Sequence, residues 1–193
     1  MTDKFKNKYR IQSTRLQNWD YRWSAAYFIT ICTQDRECYF GRIEDEMMFL
    51  SPVGAIADVL WHELKFHVKN IELDAFVVMP NHIHGIIVLN GDNNENGIAV
   101  DTGHALYLQH HNQLKNSIGQ QRFQNIGKNS VSSIIGSYKS AVAKHANRLG
   151  FDFKWQSLFH DHIIRNEESF KRIQSYIIQN PANWAEDKFH SSM

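Results

Sequence analysis

The spacing of apolar residues along the chain predicts a series of strands that helices interrupt. Residues 25–33 (AAYFITICT) are rich in β-branched and aromatic side chains, which predicts a central strand. Residues 71–79 and 82–89 are two apolar runs separated by Pro80 and Asn81. Because this connection is tight, we expect the two runs to be antiparallel neighbours.

Two further segments have the spacing of strands. Residues 38–44 and 47–51 flank a polar turn and predict a hairpin. Residues 155–165 (WQSLFHDHIIR) predict another strand, with one set of alternating side chains on a common face. These side chains are Trp155, Ser157, Phe159, Asp161 and Ile163.

Three segments change to the helical period. The first begins at Ser51, a capping residue followed by a first-turn proline, and extends to about residues 66–69. The second covers residues 130–150. The third is opened by Asn166 and is ended or kinked by Pro181.

Strands that alternate with helices but pair antiparallel predict an α+β fold of the ferredoxin-like (RRM-like) kind, with helices packed on one antiparallel sheet. The chain has 193 residues, which suits a single domain over residues 1–193. No internal repeat is visible in the sequence.

Two segments stand outside this pattern. Residues 1–23 interleave Lys and Arg with Tyr and Trp, including Arg15 and Trp19. They predict either a solvated tail that packs a few rings on the domain or an arm for nucleic acid, with cations for phosphates and rings for bases. Residues 91–129 are rich in Asn, Gln, Gly and His, which predicts a long polar loop insertion.

Composition narrows the functional classes only a little. The formal net charge is +1, so a polyanionic partner would have to be held by local basic patches. Cys32 and Cys38 are expected to be free thiols of a reducing compartment. No apolar stretch approaches the ~20 residues that span a bilayer, and residues 1–10 have no apolar signal core. We therefore expect a cytoplasmic protein without a membrane partner.

The most informative positions are His82 and His84, which flank Ile83 at the start of a predicted strand. Residues two apart in a strand point to the same face, so the two imidazoles can converge on one cation or one phosphate. The alternative is a pair of buried histidines, each satisfied by a backbone carbonyl or a carboxylate.

The last predicted helix could supply the other half of a site. Phe170, Ile173 and Ile177 share one face of the helical wheel and form its core face. Tyr176 and Asn180, spaced i and i+4, form a neighbouring stripe. If this helix covers the histidine face of the sheet, a phenol, an amide and two imidazoles surround one pocket.

Several runs of sequence together carry a family resemblance. They are LQNWDYRWSAAYFITICT (16–33), VVMPNHIHGIIVL (77–89), WQSLFHDHIIRNEE (155–168) and SYIIQNP (175–181). In this order they resemble the IS200-like single-tyrosine transposases with a histidine–hydrophobic–histidine motif, and above all the REP-associated tyrosine transposases. The chain departs from the shorter members of that family by its insertion at 91–129.

The resemblance implies a DNA transposase that cleaves and rejoins single-stranded or hairpin-forming DNA through a 5′-phosphotyrosine intermediate. It implies that His82 and His84 bind a divalent metal, Mg²⁺ or Mn²⁺, and that Asn180 completes the metal shell. It implies that Tyr176 is the nucleophile. It also implies a homodimer as one arrangement of the active protein.

Residues near the predicted last strand are candidates for a supporting or DNA-binding role. In the triplet His160-Asp161-His162, one face of the strand carries Asp161 and the other carries both histidines. Asp161 and His162 either support the site or form a structural polar pair. Arg165 and Lys139 could hold phosphates, although solvated charge is the ordinary role of such residues.

The sequence also allows a different nucleophile, a different enzyme class and a non-catalytic function. Tyr138 is a rival nucleophile, but it lies on the apolar stripe of its helix and is expected in the core. A histidine-triad nucleotide hydrolase would need a third histidine where this chain has Ile86. A non-catalytic single-stranded nucleic-acid-binding module could use the same fold without needing Tyr176 and Asn180.

Overall fold

A computed structural model provides the fold. It describes residues 4–5, 8–9, 21, 23–90 and 130–190, with backbone alone for 4–5 and 8–9. The predicted loop insertion at 91–129 lies outside the described residues, as do Arg15 and Trp19 of the predicted arm.

The described elements follow the order expected from the sequence. The strands are β1 (Lys4–Phe5), β2 (Lys8–Tyr9), β3 (Ala25–Cys32), β4 (Gly41–Glu44), β5 (Met47–Leu50), β6 (Ile71–Val78), β7 (His82–Leu89) and β8 (His160–Ile164). The helices are α1 (Pro52–His67), α2 (Val131–Arg148) and α3 (Glu167–Gln179). Short 3-10 turns occur at Gln34–Arg36 and Trp184–Glu186.

The main sheet has four strands in the order β6-β7-β3-β8, and each neighbouring pair is antiparallel. Helix α1 connects β3 to β6 by way of the β4–β5 hairpin, and α2 precedes β8. This is the βαββαβ arrangement of a ferredoxin-like sandwich. The predicted α+β fold, with helices packed on an antiparallel sheet, is confirmed.

The two central strands, β3 and β7, are buried on both faces. One face packs against α1 and α2 and includes Tyr27, Ile29 and Ile87. The opposite face packs against α3, and Ile86 contributes to its apolar cluster together with Phe170. Because β7 alternates between these two faces, His82 and His84 are directed to the α3 side with Ile86.

Capping side chains fix where the helices begin. The Ser51 hydroxyl accepts a hydrogen bond from the Gly54 amide at 3.1 Å, and the Ser130 side chain accepts one from Ser133. The Asn166 side chain accepts the Ser169 amide at 2.8 Å. Each bond satisfies an amide that the first turn of a helix leaves unpaired. The predicted starts of α1 and α3 are thereby confirmed.

The predicted strand over 155–165 is wrong in its first half, because β8 begins only at His160. Residue Trp155 makes a single bridge to Thr33, and Leu158 has a left-handed backbone with φ 68°. The Lys139 ammonium group donates to the carbonyls of Gln156 and Leu158, each at 2.7 Å. These carbonyls are therefore turned toward a side chain and not toward a neighbouring strand.

The hairpin and the two cysteines are as the sequence predicts. The predicted hairpin is present as β4 and β5, and its turn residues Asp45 and Glu46 have φ of 49° and 62°. Cys32 and Cys38 are both free thiols, as expected. Of the helices described, none has the length and apolar content that a membrane span requires.

Gly85, between His84 and Ile86, is a sensitive position of the fold. A Cβ atom there would lie 2.3 Å from Trp61 Cζ2. The Trp61 ring is fully buried, stacks on Phe76 at 4.6 Å and meets Tyr138 edge-on at 5.4 Å, so it has no room to move. We expect Gly85→Ala to lower the free energy of unfolding by about 1–3 kcal/mol, measured by urea denaturation.

Gly136 offers the matched control on α2. A Cβ there would meet no atom within 4 Å, so Gly136→Ala should raise the free energy of unfolding by about 0.5–1 kcal/mol through helix propensity. Equal effects of the two substitutions would contradict the close packing of α1 against β7.

Candidate active site

The two histidines of β7 form the centre of the candidate site. His82 and His84 lie side by side on the α3 face of the sheet, with 0% and 1% of their surfaces exposed. Their ring centroids are 4.5 Å apart, and the two Nε2 atoms are separated by 3.1 Å. The extended backbone of β7 thus brings two imidazole nitrogens to one point.

Asn81 fixes the proton on His82. The Asn81 side-chain amide nitrogen donates to the Phe189 carbonyl at 2.8 Å, so its oxygen is the atom that faces His82. That oxygen lies 2.8 Å from His82 Nδ1 and can only accept a hydrogen bond. His82 therefore carries its proton on Nδ1 and presents a bare lone pair on Nε2.

Thr30, on the neighbouring strand β3, holds the second imidazole. Its hydroxyl lies 2.8 Å from His84 Nδ1. A hydroxyl can donate or accept, so Thr30 is compatible with either tautomer of His84. Without a cation, His84 donates from Nε2 to His82. With a cation at the pair, both Nε2 lone pairs are available while Thr30 accepts from Nδ1.

Helix α3 brings the phenol to the histidines. Phe170 and Ile177 are buried against the sheet, which turns Tyr176 toward the pair. The Tyr176 hydroxyl lies 3.3 Å from His84 Nε2, and its ring meets Phe28 edge-on at 6.1 Å. The Tyr176 side chain is 40% exposed, so the hydroxyl is held at the pair while one side of the ring remains open to solvent.

Asn180, one turn after Tyr176, provides a buried oxygen that is suited to bind a cation. It is 2% exposed, and its amide nitrogen donates to Asp187 Oδ2 at 3.2 Å. Its Oδ1 atom is buried without a hydrogen-bond partner among the described residues. A buried acceptor without a partner costs free energy, and a cation next to it would remove that cost.

The donor set formed by His82, His84 and Asn180 fits a divalent metal ion. It offers two imidazole nitrogens and one amide oxygen, and it leaves further positions for phosphate oxygens or water. The three predicted metal ligands are therefore brought together with Tyr176 by the fold. Their functional roles stay predictions.

Three contributors to the site were missed by sequence reasoning. Asp187 is one, since its carboxylate forms a group with the two imidazoles whose ligand atoms all lie within 4.8 Å of one another. Asn81 and Thr30 are the others. The position of Asn81 directly before His82 was a usable signal, whereas Asp187 and Thr30 come from irregular backbone and from another strand.

Burial keeps the imidazoles neutral. Desolvation lowers the pKa of His82 to about 3, and the nearby cations Lys188 and Arg36 act in the same direction. Desolvation also lowers the pKa of His84 well below its ordinary value, with His82 adding to the effect. Neutral imidazoles keep the lone pairs that a metal ion needs.

The pKa of the Tyr176 phenol is shifted in the opposite direction, upward. Burial and the Asp187 carboxylate raise its pKa above the ordinary value, while the hydrogen bond with Asn180 acts in the other direction. The phenol is therefore protonated at neutral pH in the protein alone, and forming a phenolate requires additional positive charge at the site.

The predicted supporting residues lie in two places. In the register of β3 with β8, Thr30 pairs with His160 and Phe28 pairs with His162, so both histidines share the face of His84. Both are exposed, and Arg165 next to them is exposed as well. The exposed side chains of β8 therefore extend the α3 face of the sheet outward from the candidate site.

The remaining candidates are positioned away from this open edge. Asp161 pairs with Ile29 and is directed to the other face. Lys139 on α2 has two of its three protons on the carbonyls described above, and burial lowers its pKa. The Tyr138 hydroxyl donates to the Ala57 carbonyl at 2.8 Å in the core, which agrees with the expectation of a core tyrosine.

Comparisons with known proteins identify the fold. No family model matches the sequence. A Haemophilus influenzae protein described as uncharacterized is 31% identical over 180 residues, which cover 93% of this chain and 92% of that protein. The chain belongs to the same family as that protein.

A solved structure adds the architectural match. A REP-associated tyrosine transposase bound to a REP hairpin superposes with a TM-score of 0.53 at 19% identity, covering 86% of this chain and 71% of the other. The fold is that of the IS200-like and REP-associated tyrosine transposases. At this level of identity the match establishes the fold, and function rests on the site itself.

The neutral histidine pair predicts how the stability of metal-free protein depends on pH. The unfolded chain binds a proton at each histidine near pH 6.5, whereas folded His82 does so only near pH 3. The unfolded state therefore binds more protons in this window, and the free energy of unfolding should decrease as the pH is lowered. For each histidine the slope should approach about 1.4 kcal/mol per pH unit once the pH is well below 6.5. Urea denaturation in EDTA between pH 7.5 and 5 measures this slope.

Two variants assign the slope to the pair. His82→Gln should reduce the slope, whereas His62→Gln, at an exposed position of α1, should leave it unchanged. An equal slope in wild type and His82→Gln would contradict burial of a neutral imidazole at this position.

Proposed function

We propose that this protein is a DNA transposase that cleaves single-stranded DNA and transfers the strand through a covalent 5′-phosphotyrosine. The observation that carries the proposal is the 3.3 Å separation between the Tyr176 hydroxyl and His84 Nε2 within one chain. A nucleophile and a pair of metal-ligating imidazoles meet there on the α3 face of the sheet, with the imidazoles buried and Tyr176 40% exposed. Such an arrangement serves phosphoryl transfer, in which positioning and charge stabilisation provide most of the catalysis.

In this proposal His82, His84 and Asn180 hold a Mg²⁺ or Mn²⁺ ion. When bound, the ion supplies the positive charge that polarises the scissile phosphate and stabilises the charge of the transition state. Asn81 and Thr30 orient the imidazoles from behind, so that both Nε2 atoms stay directed at the same point.

Tyr176 forms the covalent bond. Its phenol oxygen attacks the phosphorus, the bond from phosphorus to the 3′ oxygen breaks, and the phenol proton ends on the released 3′ hydroxyl. The downstream strand remains attached to Tyr176 through its 5′ phosphate. Because a phenolate is a good leaving group, the 3′ hydroxyl of another strand can attack this phosphotyrosine and regenerate the enzyme without ATP.

The exposed part of the same sheet face is the proposed path of the DNA. His160 and His162 extend the face of His84 toward the sheet edge, and Phe28 offers a ring next to Tyr176. Exposed rings along one face, with the Arg165 guanidinium next to them, suit single-stranded DNA. Hairpin DNA is the proposed substrate because the structural neighbour described above is bound to a REP hairpin.

The remaining parts of the proposal concern assembly and location. The phenol reaches the imidazole pair within one chain, which supports a nucleophile that acts in its own subunit. A homodimer and a cytoplasmic location near the nucleoid stay predictions. Asp161, Lys139, Arg165, Arg15 and Trp19 stay predicted contacts to DNA or supports of the site.

A non-catalytic nucleic-acid-binding module is the alternative on the same fold. It explains the exposed face of β8, but it gives no reason for Asn180 Oδ1 to be buried without a hydrogen-bond partner among the described residues, or for two imidazole Nε2 atoms to lie 3.1 Å apart. The histidine-triad alternative places its third ligand at Ile86, which belongs to the apolar cluster under α3.

The covalent intermediate provides the first test. Single-stranded hairpin DNA with randomised flanks is incubated with the protein and Mn²⁺, and adducts are separated on a denaturing gel. A label at the 3′ end of the DNA should migrate with the protein, and a label at the 5′ end should not. Tyr176→Phe should remove the adduct entirely, because it lacks the attacking oxygen.

Tyr138→Phe is the matched control, since Tyr138 is a tyrosine of the core whose hydroxyl donates to the Ala57 carbonyl. This variant should form the adduct as wild type does. An adduct that persists in Tyr176→Phe would assign the nucleophile to another residue.

The metal role of the histidines provides a second test. The double variant His82→Ala, His84→Ala should lose cleavage by at least about a thousandfold, because the charge at the phosphate is no longer neutralised. DNA affinity should change little, since phosphate contacts elsewhere supply most of it. Gel-based cleavage and fluorescence anisotropy measure the two quantities. Cleavage at the wild-type rate would show that the metal site is misplaced.

A further inference from the structure

A segment after α3 closes over the histidine pair. We call residues 181–190 the C-terminal strap. Its Phe189 ring is 7% exposed and lies 4.6 Å from the His82 ring, and Trp184 lies 6.0 Å from the same ring. The strap therefore forms one wall of the site, opposite the sheet.

Two anchors hold the end of the strap in place. Asn81, which orients His82, donates to the Phe189 carbonyl at 2.8 Å. Arg36, in the turn after β3, donates to the Lys188 carbonyl at 3.1 Å and lies 5.3 Å from the Phe189 ring. The residue directly before these contacts is Asp187, so its carboxylate is positioned by its neighbours on the sheet side.

The Asp187 carboxylate touches each of the other polar groups from the helix side of the site. Its Oδ1 accepts the Phe189 amide at 2.6 Å. Its Oδ2 accepts from Asn180 at 3.2 Å and from the Tyr176 hydroxyl at 3.4 Å. The last two distances are long for hydrogen bonds to a carboxylate, which leaves Oδ2 with unused accepting capacity.

The charge of the proposed metal site also points to Asp187. The ligands His82, His84 and Asn180 are all neutral, whereas Mg²⁺ and Mn²⁺ favour carboxylate oxygen. Asp187 can supply one negative charge, and its ligand atom lies with those of the two histidines in a group no wider than 4.8 Å. Opposite ligands of a small divalent ion are about 4.2 Å apart, so a small adjustment brings all of them into range.

We propose that Asp187 is a ligand of the divalent metal and that metal binding thereby fastens the C-terminal strap over the site. This inference rests on the proposed function, because it concerns the same metal centre. It adds an anionic ligand from a segment outside the sheet and outside α3. It also predicts that metal occupancy strengthens the docking of the strap, since the ligands that would hold the ion come from β7, α3 and the strap.

Metal affinity provides the first readout, and it is independent of DNA cleavage. Free Mn²⁺ is counted by electron paramagnetic resonance during titration of the purified 193-residue chain. Asp187→Ala and Asp187→Asn should each weaken Mn²⁺ binding by at least about tenfold, since even groups behind a metal ligand contribute that much. Glu186→Ala removes a neighbouring exposed carboxylate and should bind Mn²⁺ as wild type does.

Strap docking provides the second readout. Lys188 is exposed, and trypsin cleavage after it separates residues 189–193 from the domain, which mass spectrometry detects. Mn²⁺ should slow this cleavage at least about tenfold in wild type and in Glu186→Ala, in step with the expected change in affinity. In both Asp187 variants Mn²⁺ should have no such effect.

The outcomes separate this inference from the proposed function. If the Asp187 variants bind Mn²⁺ like wild type while His82→Ala, His84→Ala abolishes binding, the metal site stands and the role of Asp187 is overturned. If the double histidine variant also binds like wild type, the metal site itself is wrong. Protection of Lys188 by Mn²⁺ in the Asp187 variants would overturn the coupling to the strap.

Discussion

The contact between two imidazole nitrogens is the constraint on which the rest of the site depends. His82 and His84 approach each other at 3.1 Å because they occupy alternate positions of a strand that is buried along its whole length. The Asn81 side-chain oxygen lies 2.8 Å from His82 Nδ1, and the Thr30 hydroxyl lies 2.8 Å from His84 Nδ1. Two neutral imidazoles are thereby held with both Nε2 atoms directed at one point, where a cation can bind to them.

Helix α3 contributes a phenol and an amide to the candidate site. Phe170 and Ile177 seat the helix on the sheet, and that orientation alone decides where the next stripe of the helix points. As a result the Tyr176 hydroxyl reaches His84, and the Asn180 amide reaches Asp187 beside the pair. The Asn180 oxygen is buried and has no hydrogen-bond partner among the described residues. The packing of an apolar helix face thus places the proposed nucleophile, and the C-terminal strap closes the remaining side.

The sequence predicted most of what regular periodicity controls. The strand pair around Pro80 and Asn81, the caps at Ser51 and Asn166, and the Tyr176–Asn180 stripe all follow from spacing that repeats over several residues. Spacing of this kind predicts which side chains share a face, and a ferredoxin-like order of elements then predicts which faces meet.

The parts that escaped prediction have no such periodicity. Residues 155–159 alternate like a strand, but the Lys139 ammonium captures their carbonyls from another element. Asp187 lies in an irregular segment that Arg36 and Asn81, both distant in sequence, hold in place through the carbonyls of Lys188 and Phe189. Thr30 reaches His84 only because of the register between β3 and β7. Each of these features is a tertiary contact that local pattern does not encode.

The most direct measurement of the central claim is a crystal structure of the protein grown with Mn²⁺, with anomalous diffraction used to locate the ion. The account predicts one peak at about 2.2 Å from Nε2 of both His82 and His84, with Asn180 Oδ1 directed at it and the Tyr176 hydroxyl beside it. The central claim would be contradicted if, at saturating Mn²⁺, the Nε2 atoms of His82 and His84 were still hydrogen-bonded to each other and the anomalous peak lay elsewhere.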